Sequence, residues 1–568
     1  MEKILLINLK KFGDTFQSAH LINTIKTLNP DTQVDVLCFE ESAKAAKTLR
    51  GIGNIFTINR KKIISFYKNN IYSDGLAFNA FHEALEDVIR SDYRRVINYS
   101  NDKVSTYISS YLSNSMEAEV FGIRFDSKNS VVYSDPFSII LNDVNTTTHF
   151  TPFNFNDTYH YICGVEGHQN SQLKIKSNSS HDQTAVENFD RLRATKQDRS
   201  EDVNIVGIQI SSASATKDIP KKVLIETIQL FIDSDNIVPI LLNAPLDEER
   251  ELIKEINSNF DHKLVSVEAD FIALPSVLKG INLLLTPDTS VKHVADLVGT
   301  PCLEVSLGEA PFLKQGSINP KSAIISRAAN LRVFKEGIED RDSVIEQNSA
   351  LRPALIYHTT QALIGSEQNL DLDVELDSEF CVYRPKKVQT GTLFVPISGP
   401  FKPEFEIRRL LARPLSLKLA GREKTQDQSI EEVYQTIYER FDRRTISKVV
   451  NEEKHALSDL TKDLLSTLRG LIQTQEDRRK ATYFVEALEK LISRCFDNSL
   501  SAFPTLFFRA RLESLNATSL EENFKEVEGL LYDLKSNLQN CFNILKEVED
   551  FKNKDMESST NISPRASL

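Results

Sequence analysis

Strand–helix alternation, repeated in two series, constrains this chain more than any other feature. In the first series the apolar runs Lys3–Asn8, Val34–Cys38, Ile55–Ile58 and Arg95–Asn98 read as strands, with helices expected over Ser18–Leu28, Glu40–Leu49 and Phe78–Ser91. In the second, strands are expected at Ile205–Ile210, Val238–Leu242, Leu264–Val267, Leu283–Thr286, Cys302–Ser306 and Ala323–Ser326, with Lys222–Asp233 and Leu246–Asn257 among the helices between them. Strands that are apolar throughout, such as Leu283-Leu284-Leu285, suit a parallel sheet covered on both faces. Their alternation with helices makes βαβ units. The expected fold class is therefore α/β, with two Rossmann-like lobes over residues 1–165 and 204–365. A polar connection, 166–203, carries one helix (Gln183–Thr195). Pro353–Ile364 closes the second lobe, with proline in the first turn and Gly365 just past the end.

After Gly365 the pattern changes. Residues 366–428 read as an irregular linker, because Pro385, Pro396, Pro400, Pro403 and Pro414 fall within it. Residues 429–551 read as an all-α helical domain. Leu520, Phe524, Val527, Leu531, Leu534 and Leu538 recur at helical spacing after a capping-box pair, Ser519 and Glu522. Leu457, Leu460, Leu464, Leu468 and Leu471 mark a second amphipathic helix. The polar tail, 552–568, is expected to be disordered.

Charge and cysteine usage remove several function classes. A net charge of −12 over 568 residues argues against nucleic acid as a partner, because that footprint is basic. No apolar run reaches the roughly 18 residues a transmembrane helix needs. The opening residues, MEKILLINLKKFGD, do not form a signal peptide, since charge follows the apolar run at once. The six cysteines are scattered without a CxxC pair, which points to a cytoplasmic setting and to neither zinc nor disulfides. His149, His160 and His168 show no metal-ligand spacing.

Three motifs fall where an α/β sheet binds ligands, just beyond the carboxyl ends of strands. The first, Lys10-Lys11-Phe12-Gly13-Asp14, follows the first strand, with Gly13 read as a sharp turn and Asp14 as either a cleft carboxylate or a helix cap. The second is Ser211–Pro220, where Ser212, Ser214 and Lys217 could cradle a pyrophosphate. The third is Asp288-Thr289-Ser290-Val291-Lys292-His293, a strand end leading into a capped helix that stops at Gly299-Thr300-Pro301. Lys292 and His293 would add two donors just inside that helix. Arg60-Lys61-Lys62 reads as a solvated face or at most a contact to an acceptor phosphate, and the Arg408-Arg409…Arg413 run as a surface patch that could touch anionic lipid.

In this order the motifs resemble glycosyltransferase family 9, the heptosyltransferase family, whose fold is GT-B. Gly13-Asp14 matches the family's Gly-Asp motif. Lys217-Asp218-Ile219-Pro220 is similar to its Lys-x-Trp-Pro-like signature. Asp288-Thr289-Ser290-Val291-Lys292-His293-Val294-Ala295, with Gly299-Thr300-Pro301, matches its D-S/T-G-x-x-H-x-A…G-T-P motif. The likeness covers about residues 1–365. Ser290 stands where the family prefers glycine, Ile219 where it has tryptophan, and His20 where proline is frequent.

The resemblance implies an inverting, metal-independent transfer of a sugar, heptose or related, from a nucleotide-sugar donor. An ADP-sugar is favoured, and the acceptor would be lipopolysaccharide core or another glycan or lipid-linked molecule in a bacterium. Asp14 would be the general base. Lys217, Ser212, Ser214, Asp288, Thr289, Ser290 and His293 would meet the donor, and Lys10 and Lys11 the acceptor. No cofactor is implied beyond the nucleotide sugar as substrate. A lipid-linked acceptor would bring the protein to the inner face of the inner membrane peripherally. The helical domain leaves room for a protein partner. Two alternatives stand beside this reading: a GT-B-like scaffold that has lost transfer, and another enzyme of that fold such as a nucleotide-sugar epimerase.

Overall fold

A computed structural model describes residues 2–68, 73–147, 150–166, 175–196, 198, 200, 202–261, 264–308, 311–327, 341–365, 379–389, 391–422, 427–517 and 519–560. His149, His168, the start of the expected linker (366–378) and the last residues (561–568) lie outside them. The described chain falls into two compact units: Met1–Gly122 with Asn154–Lys387 and Gly391–Phe401, and Ile123–Phe153 with Val388–Thr390 and Lys402–Leu568.

The first unit holds both α/β lobes. Strands β1 (Lys3–Asn8), β2 (Gln33–Phe39), β3 (Ile52–Ile58), β4 (Arg95–Asn98) and β5 (Glu119–Phe121) form one sheet in the order β3-β2-β1-β4-β5. Every pairing in it is parallel. A hairpin, β6 (Ile123–Phe125) with β7 (Val131–Tyr133), belongs to the other unit. The second sheet runs β10-β9-β8-β11-β12-β13-β14-β15. Its parallel strands are β8 (Asn204–Gln209), β9 (Ile237–Asn243), β10 (Val265–Glu268), β11 (Leu283–Pro287), β12 (Cys302–Ser306) and β13 (Ala323–Arg327). Leu283, Leu284 and Leu285 are fully buried, as covering on both faces requires.

Both sheets reverse their order at the same kind of place. β1 lies between β2 and β4, and β8 lies between β9 and β11. Ligands of doubly wound sheets bind outside the carboxyl ends of strands at such a switch point. The loops after β1, β8 and β11 carry the three motifs, so topology alone sets them beside the two switch points. The lobes share apolar packing: Phe16 and Ala45 of the first lie in one cluster with Val291, Val294 and Leu284 of the second. Phe271 meets Phe12 at 5.0 Å and Phe16 at 5.2 Å between ring centroids.

Residues read as an irregular linker are in part regular. Strands β14 (Phe380–Val388) and β15 (Gly391–Ser398) extend the second sheet, and β14 runs antiparallel to β13. Their prolines lie outside the pairing of β14 with β13. Pro385 lies beyond Tyr383, the last paired residue on that side, and Pro396 sits on the edge strand. A helix, Pro403–Leu419, follows in the second unit, with Pro403 at its tolerant first turn and Pro414 inside it.

The second unit is mainly helical, built from Asp427–Arg440, Arg443–Glu476, Ala481–Ser493, Ala502–Glu513 and Leu520–Thr560. The last of these starts where expected, with the Glu522 N–H donating to Ser519 Oγ at 3.1 Å. It continues to Thr560, into the stretch read as a disordered tail. Residues 123–153, assigned from sequence to the first lobe, group with these helices instead. Phe150 packs on Phe405 and Phe503. Arg413, read as a surface cation, is buried 4.2 Å over the Phe153 ring and donates to the Pro152 carbonyl. Arg409 is likewise buried against Glu406 at 2.7 Å. Apolar stems and local partners make these arginines interior residues.

A chain cut after Gly365 loses β14, and with it Phe380 and Val382 from the core of the second lobe. Such a fragment is expected to aggregate or to unfold without cooperativity in a circular-dichroism melt. A sharp, reversible transition from it would show β14 to be dispensable.

Candidate functional site

Asp14 sits in the first turn of a helix that begins at Phe12, not near Ser18. An aspartate in a first turn is favoured by the helix dipole, so the Gly-Asp pair that resembled a loop is already helical. Gly13 has no left-handed backbone. It is required by a close approach: a Cβ there would lie 3.2 Å from His293 Cδ2 and 3.8 Å from Ser290 Cα. The first and third motifs therefore meet closely at a glycine, where a Cβ would press on the His293 ring.

Burial raises the Asp14 carboxyl above its ordinary range. The Lys10 charge and the backbone N–H groups of Asp14 and Lys11 oppose the shift, and the nearby Asp288 charge adds to it. Lys10, Lys11 and Asp14 line a cavity of about 850 Å³ shared with Ala213 and Lys314 of the second lobe. Phe155 also lines it, with Lys10 Nζ 5.6 Å from its ring centroid. Arg60, read as part of a solvated face, is in the cavity wall, paired with Glu41 at 3.0 Å and stacked over Phe39.

The serine loop is a folded turn and not a loose one. The Ser212 N–H donates to Asp218 Oδ1 at 2.6 Å, and Ser212 Oγ donates to the Ser214 carbonyl at 2.8 Å. Ser214 Oγ meets Thr216 Oγ1 at 2.9 Å, and the Lys217 N–H donates to the Ser214 carbonyl. The hydroxyls of Ser212 and Ser214 thus shape the loop from within, and Ala213 is the loop residue that faces the cavity. Lys217 extends across Gly308, where a Cβ would clash with Lys217 Cγ, and its ammonium donates to Asp288 Oδ2 at 2.6 Å.

Asp288 is the hub of the third motif. Its other oxygen accepts from Lys292 Nζ at 2.6 Å, and the same ammonium donates to Glu304 Oε1 at 2.6 Å. Glu304 Oε2 accepts the Ser317 N–H at 2.8 Å. Lys292 is therefore an interior cation, fully buried, and not the helix-end donor expected from the sequence. Burial alone would raise the Asp288 carboxyl, but the ammonium groups of Lys292 and Lys217 outweigh it and hold it well below the usual range. Burial would lower the Lys292 ammonium, and the two carboxylates reverse that and keep it charged. Glu304 is raised by burial, against the pull of Lys292.

Thr289 caps the helix Ser290–Val298, accepting the Val291 N–H on Oγ1 at 3.3 Å. The helix ends on Gly299, whose φ of 86° suits glycine. His293 is buried and pushed down to about 3, first by burial and then by the Lys292 charge. Its Nε2 lies 3.3 Å from Gln17 Nε2, so a neutral ring accepts from the amide. Lys217, Asp288, Thr289, Ser290 and His293 do not line the large cavity. Ser290 and His293 meet the first lobe at Gly13 and Gln17. What the sequence reading missed is the Lys292–Glu304 pair and the cavity-facing Arg60 and Lys314. A glutamate inside the apolar run Cys302–Ser306 was the signal for the first of these.

No family model and no curated protein sequence matches the chain. Solved structures are similar to it in fold. The family 9 glycosyltransferase from Veillonella parvula matches over 64% of this chain and 97% of its own, at 14% identity and a TM-score of 0.46. E. coli ADP-heptose lps heptosyltransferase II matches over 64% and 98%, at 13% identity and 0.42. An E. coli heptosyltransferase solved with ADP matches over 61% and 99%, at 14% identity and 0.39.

Two outcomes follow from this wiring. Lys292→Met leaves Glu304 buried without a cation and Asp288 with Lys217 alone, and is expected to cost about 3–5 kcal/mol of stability in denaturant titration; a cost under about 1 kcal/mol would mean the triad is solvated. His293 binds a proton more readily unfolded than folded, so its contribution is whole above its ordinary value of 6.5 and is lost as pH falls toward about 3. His293→Gln should flatten that acid limb. Asp296, pushed up to about 6 by burial, acts in the opposite sense and its contribution fades as pH rises through 6.

Proposed function

We propose that this chain transfers a sugar from a nucleotide-sugar donor, an ADP-sugar by preference, to a hydroxyl of a glycan or lipid-linked acceptor, with inversion at the anomeric carbon. The observation that carries the reading is Asp14: a carboxyl raised by burial, at the carboxyl end of β1, on the wall of a large cavity that both lobes line. A base poised in that way takes the acceptor proton as the hydroxyl oxygen bonds to the anomeric carbon. The bond from that carbon to the diphosphate breaks, and the nucleotide leaves with its charge. Lys217 and the N-terminus of Ser290–Val298 are the groups that would meet that charge. The likeness of the three motifs to the heptosyltransferase family supports heptose, or a related sugar, as the transferred group.

A second reading is a nucleotide-sugar binding protein without transfer. It is favoured by one observation: the Ser212 and Ser214 hydroxyls are used inside their loop and Lys217 is paired with Asp288, so the donor side is more internally satisfied than the motif suggested.

Asp14→Asn separates the two. It is expected to lower transfer about 10²–10⁴-fold while nucleotide-sugar affinity stays near that of the unaltered protein. Transfer should also fall as pH drops through the raised Asp14 value, because the base is then protonated. Unchanged turnover in the variant would remove Asp14 from the mechanism, and binding without turnover in the unaltered protein would establish the second reading.

A further inference from the structure

Lys292 is placed where a helix would present a ligand donor, yet no part of its side chain reaches solvent. Its ammonium is divided between Asp288 Oδ1 and Glu304 Oε1, both at 2.6 Å. Asp288 then uses its remaining oxygen, Oδ2, to hold Lys217 at 2.6 Å. The relay passes from β12 through Ser290–Val298 and the end of β11 to the loop after β8. Lys217 alone in this chain of charges is partly exposed, at 26% of its side chain. An ammonium has three N–H donors, and Asp288 takes one of Lys217's. Gly308 keeps the stem of Lys217 pressed against the end of β12, since any Cβ there would displace it.

We propose that Lys292 is a positioning residue for the donor diphosphate: clamped by Glu304, it orients Asp288 so that Lys217 is held at one point with two N–H groups left for an anion. This rests on the reading of the site as a nucleotide-sugar site. Fixing a long flexible cation beforehand removes the entropy cost of ordering it on binding. A lysine without that anchor would still attract phosphate but would discriminate poorly between one phosphate and two. Asp288 also keeps Lys217 from being a free surface cation, so the site offers hydrogen-bond donors in a fixed direction and little net charge.

The test uses the full-length chain with Lys292→Met combined with Glu304→Gln. The pair removes Lys292 together with the carboxylate that it alone neutralises, while Asp288 keeps Lys217, so folding is retained where the single lysine variant strands Glu304. Affinities for ADP and AMP, or for UDP and UMP if the uridine series binds better, are measured by titration calorimetry. In the unaltered protein the diphosphate is expected to bind better than the monophosphate. In the double variant that preference should shrink about tenfold or more, the worth of a charge-assisted hydrogen bond, while monophosphate affinity holds. Adding Lys217→Ala to the double variant should cost nothing beyond Lys217→Ala alone, because both act through the same ammonium. A well-folded double variant with the unaltered preference would reduce Lys292 to a structural role and overturn the proposal. If the unaltered protein binds neither diphosphate, the nucleotide-sugar reading itself falls, and this inference with it.

Discussion

A lysine with no solvent contact, held between two carboxylates, sets the geometry at the carboxyl end of β11. Removing two or three charges from water costs several kcal/mol per ion, and only close mutual pairing recovers it. Lys292, Asp288 and Glu304 meet that condition at 2.6 Å on each side, with Ser317 satisfying a further oxygen. The arrangement therefore has little freedom. Turning Asp288 away would leave Lys292 to Glu304 alone, and withdrawing Lys217 would leave two buried carboxylates sharing one ammonium. Gly13 against His293 then ties the first lobe's Asp14 to the same rigid point.

Much of this was legible in the sequence because its physical signals are local. The strands were readable from continuous apolar runs: Arg95–Asn98 and Cys302–Ser306 coincide with the observed β4 and β12, and Pro353–Ile364 is the observed helix. Glycine and proline placed the end of Ser290–Val298. The three motifs fell at strand ends, and the strand order then set them beside the switch points. The start of the first helix was not legible, since Lys11 caps it without a side-chain bond and Gly-Asp mimics a turn.

The larger misses share one cause, which is that long-range packing overrode local composition. Proline suggested irregularity over 366–428, yet two strands and a helix form there: Pro403 takes the tolerant first turn, and Pro414 is carried inside the helix where packing overrides its cost. Residues 123–153 read as part of the first lobe. Phe150 and Phe153 within them instead pack among helices several hundred residues later. Arg409 and Arg413 looked like a surface run because charge is normally outside, and partners that include Glu406, the Pro152 carbonyl and the Phe153 ring accompany their burial. In the site, serine and lysine types were identified but their roles were not: Ser212 and Ser214 build the loop, and Lys292 is an interior anchor.

The central claim is that Lys217, Asp288 and the capped helix after β11 form the place where a nucleotide diphosphate meets this chain. A thermal-shift screen across nucleotide sugars tests it most directly, because a ligand that binds only the folded state raises the melting temperature by mass action. The account predicts a rise that grows with the concentration of an ADP-sugar or another nucleotide sugar, is absent with the free sugar, and is lost in Lys217→Ala. No shift with any nucleotide sugar, or an undiminished shift in Lys217→Ala, would contradict it.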